Sequence, residues 1–468
     1  MRDYLAFLES RTQSPDPLGF EPLWMPDFLF PFQRDPVEWA IRKGRGLIAA
    51  DCGLGKGPMQ FVIAENVIRK TNRPVLYLTT LGDSLQTIEE AAKFGVDAIR
   101  SKDGKFPAGA RLIVTNYERL EHFNPADFAG VTCNESSCIK DFDGKRSGQV
   151  VEFLRTVPYR FLCTATASPN DHMELGTSSE ALGGLGYMDM LARFFKSDDG
   201  SLHPFRNYPR GAPKKPGAVW SFKPHAEPHF WRWVCSWARA FRKPSDLGFS
   251  DDGYDLPEHE IRDHVVKASR TLPGTFLEFA ARGLREQREE QKRTLEDRCG
   301  VVVDLLADAD SAVAWCHLND EGNRLAREIS GAVQVGSGSQ SDDEKEELFA
   351  AFTSGQARVM VTKPKIAGLG LNWQHCHRQT YFPSHSFEQY YQAVRRLWRF
   401  GQHHKVTTDL VTTDGGVEII ENLARKAAKA ERQYTQLVAL MNEGWTIDRA
   451  HYGTKTTEVA PWLASISV

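Results

Sequence analysis

The sequence predicts an α/β chain of two parallel-sheet lobes with a helical and irregular insertion between them. Three observations carry this. Short, continuously apolar runs alternate with helix-length segments in the first third, and the same alternation resumes near residue 301. Runs that are apolar throughout fit strands buried on both faces, the mark of a parallel sheet covered by helices. The chain has 468 residues, too many for one core and suited to two or three domains.

Taken in order, Gly46 to Ala50 reads as a buried strand, followed by a glycine loop and a helix from about Pro58 to Lys70. Pro74 to Thr79, Arg111 to Thr115, Gly130 to Cys133 and Tyr159 to Thr164 complete the first set of strands. Residues 183–225 are rich in Gly, Pro, Lys and Asp and read as irregular insertion. Trp233, Trp237 and Phe241 recur every four residues, the spacing of one helical face. From about Thr275 to Arg298 the pattern is helical and charged, with Arg282, Arg285, Arg288, Lys292 and Arg293. In the second half Ala312 to Cys316, Arg358 to Thr362, Arg378 to Phe382 and Val406 to Val411 read as strands. Asn319 to Ser330, Ser341 to Thr353 and Phe387 to Phe400 read as helices, and Gly416 to Glu443 as one long helix. The expected divisions are an N-terminal extension (1–28), a first lobe (29–180), an insertion and helical linker (181–300) and a second lobe (301–468).

Composition narrows the class. Acidic residues (61) nearly balance basic ones (58), so any nucleic-acid contact must come from a local basic face. No run of about 18 apolar residues marks a membrane span, and the first ten residues lack a signal-peptide core. Eight widely spaced cysteines contain no CxxC pair, which fits buried free thiols in a cytoplasmic protein better than a zinc site.

The loop Ala50-Asp51-Cys52-Gly53-Leu54-Gly55-Lys56-Gly57 joins a strand to a helix. Its glycines let backbone N–H groups turn toward phosphate oxygens, the helix N-terminus adds partial positive charge, and Lys56 adds a full one. A phosphate-binding loop normally carries Ser or Thr after the lysine to hold Mg²⁺. Here that position is Gly57.

From this loop outward the sequence resembles the superfamily 2 helicases, most closely a phage-like member of the Swi/Snf-type branch. The resemblance spans about residues 29–415 and implies two RecA-like P-loop lobes. Phe30-Pro31-Phe32-Gln33 resembles the motif whose glutamine reads adenine. Leu78 to Gln86 and Ile113-Val114-Thr115-Asn116 resemble strand-end motifs that contact the nucleic-acid backbone. Asn134-Glu135 stands at the aspartate–glutamate box, and Thr164-Ala165-Thr166 resembles the motif coupling hydrolysis to nucleic-acid binding. Ala367 to Asn372 resembles the glycine-rich motif beside the nucleotide, and Gln392 to Gln402 the arginine-finger motif.

The resemblance implies ATP and Mg²⁺ as ligands, with Gln33, Gly53, Leu54, Gly55, Lys56, Gly57 and Gly370 about the nucleotide. Glu135 would activate water, and Arg396 and Arg399, three apart and so on one helical face, would stabilise the departing phosphate. Thr115, Asn116, Thr164 and Thr166 would couple the site to nucleic acid. The implied partner is duplex or single-stranded DNA, in a bacterial or phage-infected cell, with a replication, repair or nuclease protein as a further partner. Lys363, Lys365, Arg378 and the basic run at 282–293 offer phosphate contacts.

Two positions depart from the family, and both concern the metal. Gly57 offers no hydroxyl, and Asn134, which could reach Mg²⁺ only weakly through water, replaces a carboxylate. Two readings follow: an ATP-driven helicase or translocase in which water fills the gaps, or a hydrolysis-poor, nucleotide-gated DNA clamp.

Overall fold

In the computed structural model the described residues are 18–139, 142, 144–165, 172–197, 220–267, 284–336, 338, 340–367 and 371–451. The chain divides into two compact units. One comprises the chain up to Thr79, Thr87–Ser250 and everything from Gln433; the other comprises Thr80–Gln86 and Asp251–Arg432. Each is a RecA-like lobe built on one parallel sheet.

The first sheet contains β1 (Arg45–Ala50), β2 (Val75–Thr79), β3 (Ala98–Arg100), β4 (Leu112–Asn116), β5 (Gly130–Cys133) and β6 (Tyr159–Thr164). The strands read from the apolar runs are present, and apart from Arg45 every residue of β1, β2, β4, β5 and β6 is buried. The helix Lys56–Thr71 begins directly after the glycine loop and is buried along most of its length. It carries polar residues inside that apolar face. Asn66 accepts from the N–H groups of Leu23 (2.7 Å) and Trp24 (2.9 Å) and donates to the Trp24 carbonyl (2.7 Å), tying the N-terminal segment to this lobe.

Beside the unexpected short strand β3, two features of this lobe differ from expectation. Residues 183–225 are not wholly irregular: they contain the helix Tyr187–Phe194 and the antiparallel pair β7 (Phe195–Ser197) and β8 (Trp220–Phe222). The Trp233–Trp237–Phe241 spacing is not one helical face. The helix Glu227–Cys235 ends first, and Ala238–Phe241 is β9, which pairs in parallel with β1. The order is therefore β3-β4-β2-β5-β6-β1-β9. Phe241 is fully buried and meets Phe32 edge-on at 6.2 Å, a burial that contributes about 1.5–3 kcal/mol. A four-residue strand that reads Ala-Arg-Ala-Phe has too little apolar pattern to announce itself.

The second sheet contains β10 (His259–Val266), β11 (Ala312–Trp315), β12 (Ala332–Val335), β13 (Val359–Thr362), β14 (Arg378–Tyr381) and β15 (Val406–Thr413), in the order β10-β15-β14-β11-β13-β12. Here β10 was not expected, because an edge strand reading His-Glu-Ile-Arg-Asp-His-Val-Val mixes charged and apolar residues, with Ile261 and Val265 exposed. The charged segment forms the helices Leu284–Arg293 and Leu295–Leu305; Arg282 lies outside the described residues. The helix expected over 387–400 stops at Val394, and the last helix runs over Val417–His451.

A buried ion pair joins two helices of the second lobe, Leu295–Leu305 and Asn319–Glu328. Arg298 and Glu321 lie 2.8 Å apart with 3% and 2% of their side chains exposed. Glu321 also accepts the His317 and Leu318 N–H groups at 3.0 Å each. Removing one partner strands a charge in the interior, which costs about 3–5 kcal/mol. Urea denaturation of Glu321→Ala should show the second lobe weakened by about that amount. A loss under about 1 kcal/mol, the size of an exposed pair, would contradict this account.

Candidate functional site

In open parallel sheets, ligands bind beyond the carboxyl ends of the strands. At that end of the first sheet, adjacent β1, β6 and β5 are followed by or end in Lys56, Thr164 and Glu135 respectively. Lys56 Nζ donates to the carbonyls of Ala50 (3.1 Å) and Asp51 (3.3 Å) and lies 3.8 Å from Glu135 Oε1. Thr164 Oγ1 reaches Glu135 Oε2 at 3.5 Å. Both charged side chains are largely buried, 10% and 6% exposed, so each depends on the other for compensation. Glu135 adopts φ of 52°, a left-handed conformation that costs a non-glycine residue about 1–3 kcal/mol and recurs at functional sites.

The loop itself is shaped by its glycines. Gly53 and Gly55 have φ of 89° and 74°. At Gly55 the requirement is double, since a Cβ would lie 2.2 Å from Gln33 Nε2. Gln33 is buried against this loop: Nε2 donates to the Leu54 carbonyl (2.9 Å), and Oε1 accepts the Phe30 N–H (3.0 Å). The glutamine expected to read adenine is thus bonded directly to the loop expected to hold phosphate. These residues fit a nucleotide: backbone N–H groups at a helix N-terminus, a buried amine and space that only glycine leaves open.

The metal fares differently. Asn134 Oδ1 accepts from Gln60 Nε2 (3.2 Å) and its Nδ2 donates to Thr79 Oγ1 (3.4 Å), while Gln60 Oε1 accepts from Thr132 Oγ1 (3.2 Å). The amide is a link in a buried polar chain, and Gly57 has no donor atom. Positions 57 and 134 therefore do not fit an Mg²⁺ held in the expected way. Gln60 was missed from the sequence, although a glutamine in Met59-Gln60-Phe61-Val62-Ile63 is a visible polar interruption of an apolar run.

Thr115 and Asn116 end β4 and are buried, with Thr115 Oγ1 and Asn116 Oδ1 lacking hydrogen-bond partners among the described residues. Thr166 and Gly370 lie outside the described residues. Tyr434, from the last helix, donates its hydroxyl to the Ala49 carbonyl at the end of β1, another contact the sequence did not suggest. Burial pushes the Cys133 and Cys163 thiols beside this site well up and Cys138 to about 12, consistent with the free cysteines expected. Among the described residues, no helix is long and apolar enough to cross a membrane.

In the second lobe Arg396 and Arg399 do not share a helical face, because the helix has already ended at Val394. They converge through the turn that follows: Arg396 Nη1 and Arg399 Nη1 reach the same Leu371 carbonyl, at 2.9 and 3.4 Å. Trp398 holds the turn, donating to the Pro257 carbonyl (2.7 Å) and stacking on His259 (4.8 Å), with the Arg395 guanidinium over its ring at 5.1 Å. Of the residues expected as phosphate contacts, Arg378 donates to the Leu305 carbonyl at 2.8 Å and Lys363 to Asn319 Oδ1 at 2.6 Å.

No protein-family model matches the sequence, and neither does any curated protein. Solved structures do match. A variant of S. cerevisiae Dbp5 bound to a Gle1 variant and IP6 is 11% identical, with 88% of this chain and 92% of that one covered and a TM-score of 0.50. The Sulfolobus solfataricus SWI2/SNF2 ATPase core in complex with double-stranded DNA is 16% identical over 93% and 99%, with a TM-score of 0.41. At this identity the first likeness carries the fold and nothing finer.

The stack around Trp398 makes a pH prediction. Burial, then the Arg395 charge, lowers His259 to about 4, so it is neutral in the fold. The unfolded chain takes up this proton near about pH 6.5, so stability should fall as pH drops from there toward 4. His259→Phe keeps the stack and removes the proton. Its thermal midpoint should fall less than that of the wild type between pH 7 and 4; equal falls would contradict the assignment.

Proposed function

We propose that the chain is a nucleic-acid-dependent ATPase of the superfamily 2 helicase kind, which couples ATP hydrolysis to movement on DNA. The observation that carries this reading is the buried Lys56–Glu135 pair beside the glycine loop, at the carboxyl ends of β1, β6 and β5. A phosphate arriving at the loop would draw Lys56 Nζ off the carbonyls of Ala50 and Asp51, which are its acceptors without ligand. That frees Glu135 to accept a proton from the attacking water, with Thr164 holding its other oxygen. Gln33 would read the adenine while bonded to Leu54, so base recognition and loop position are linked. Arg396 and Arg399 are the proposed cations for the γ-phosphate; both donate to one carbonyl, which holds them together as a pair.

A second reading, the nucleotide-gated clamp, rests on a specific observation: Asn134 spends its oxygen on Gln60, and Gly57 offers none. The divisions into an ATP-binding lobe and a helicase C-terminal lobe, and a cytoplasmic location in a phage-infected or bacterial cell, belong to the same proposal.

Steady-state ATP hydrolysis, with and without DNA, separates the readings. The motor predicts DNA-stimulated turnover that falls at least about 100-fold in Lys56→Ala, the size of effect expected when a preorganised charge is removed. Turnover unaffected by Lys56→Ala would overturn the site. Nucleotide binding without turnover, followed by turnover gained in Asn134→Asp, would favour the clamp.

A further inference from the structure

Gly57 lacks a backbone reason to be glycine. It lies in the first turn of the helix Lys56–Thr71 and, unlike Gly53 and Gly55, is not among the residues with positive φ. Glycine within a helix is disfavoured by roughly 0.5–1 kcal/mol relative to alanine. The reason lies in what fills the space. A Cβ at position 57 would meet Glu90 Oε2 at 2.3 Å, Cδ at 2.9 Å and Oε1 at 3.2 Å. The carboxylate of Glu90, from the helix Ser84–Lys93, occupies the place of the missing side chain.

Its surroundings suit an oxygen ligand. Gly57 directly follows Lys56, and three residues on, on the same helical face, Gln60 holds Asn134. The hydroxyl that a phosphate-binding loop usually supplies here and the carboxylate found here are both hard oxygen donors, and the carboxylate adds charge. We propose that Glu90 replaces the absent side chain of residue 57, its carboxylate serving as the protein's oxygen ligand for the divalent cation of a bound metal–nucleoside triphosphate. This rests on the nucleotide site proposed above. Among the described residues, no group of three or more His, Cys, Asp or Glu could hold a metal alone. Glu90 therefore acts with phosphate oxygens and water, the usual arrangement for Mg²⁺. The same placement explains why two departures occur together: the charge lost at 134, after β5, returns from the helix Ser84–Lys93.

The test is equilibrium binding of a fluorescent ATP analogue to the full chain, in EDTA and in Mg²⁺, for the wild type and the nearly isosteric Glu90→Gln. The quantity read is the ratio of the two affinities, which cancels any general effect of removing a negative charge beside the phosphates. The wild type should bind more tightly with Mg²⁺, and Glu90→Gln should lose about 10–100-fold of that gain. Mn²⁺ in place of Mg²⁺ gives a second readout, since its paramagnetic resonance spectrum should change with nucleotide in the wild type and not in Glu90→Gln. An unchanged ratio and spectrum in Glu90→Gln would overturn the role of Glu90 and leave the nucleotide site standing. Absence of binding by the wild type in both conditions would remove the site and the proposal together.

Discussion

An amine and a carboxylate cannot share a buried position in a protein unless each is compensated. Lys56 and Glu135 come from loops after different strands, and their approach to 3.8 Å requires β1, β6 and β5 to be adjacent, parallel and level at their carboxyl ends. The register supplies this. Ala49 pairs with Thr164, and Cys133 with Leu162, so the three strands end within about three residues of each other and Glu135, two residues past β5, reaches the level of Thr164. The left-handed backbone at Glu135 and the glycines at 53 and 55 are local costs that the sheet can sustain because its strands are buried on both faces.

The parts of this arrangement differ in how far they can be read from sequence. Continuous apolar strands are legible because burial on both faces leaves one unmixed signal, and β1, β2, β4, β5 and β6 were readable for that reason. The edge strands β9 and β10 were not, because each mixes charged and apolar residues. The glycine loop and Glu135 were legible as motifs. Gln60, Glu90 and Tyr434 were not, since their roles come from elements 74, 33 and 385 positions away that only the fold brings close. Arg396 and Arg399 were identified as a pair by the wrong geometry: helical spacing predicted a shared face, whereas a turn and one carbonyl bring them together.

Gly57 and Asn134 read in the sequence as two losses from one metal's shell. In the structure each belongs to a packed arrangement, one filled by a carboxylate and the other threaded into a chain from Thr132 through Gln60 to Thr79. Changing either residue alone disturbs its neighbours: a side chain at 57 must displace Glu90, and aspartate at 134 loses the amide donor to Thr79. Any metal chemistry proposed for this lobe would therefore depend on these packed neighbours as well as on the two motif positions.

Amide hydrogen exchange across the loop tests the central claim most directly. ATP added to the full chain should slow exchange at the backbone N–H groups of residues 53–57 by at least about tenfold, with no such change in Lys56→Ala. Unchanged exchange in a wild-type protein that remains folded would show that phosphate does not bind where Lys56 and Glu135 meet, and the account would fail.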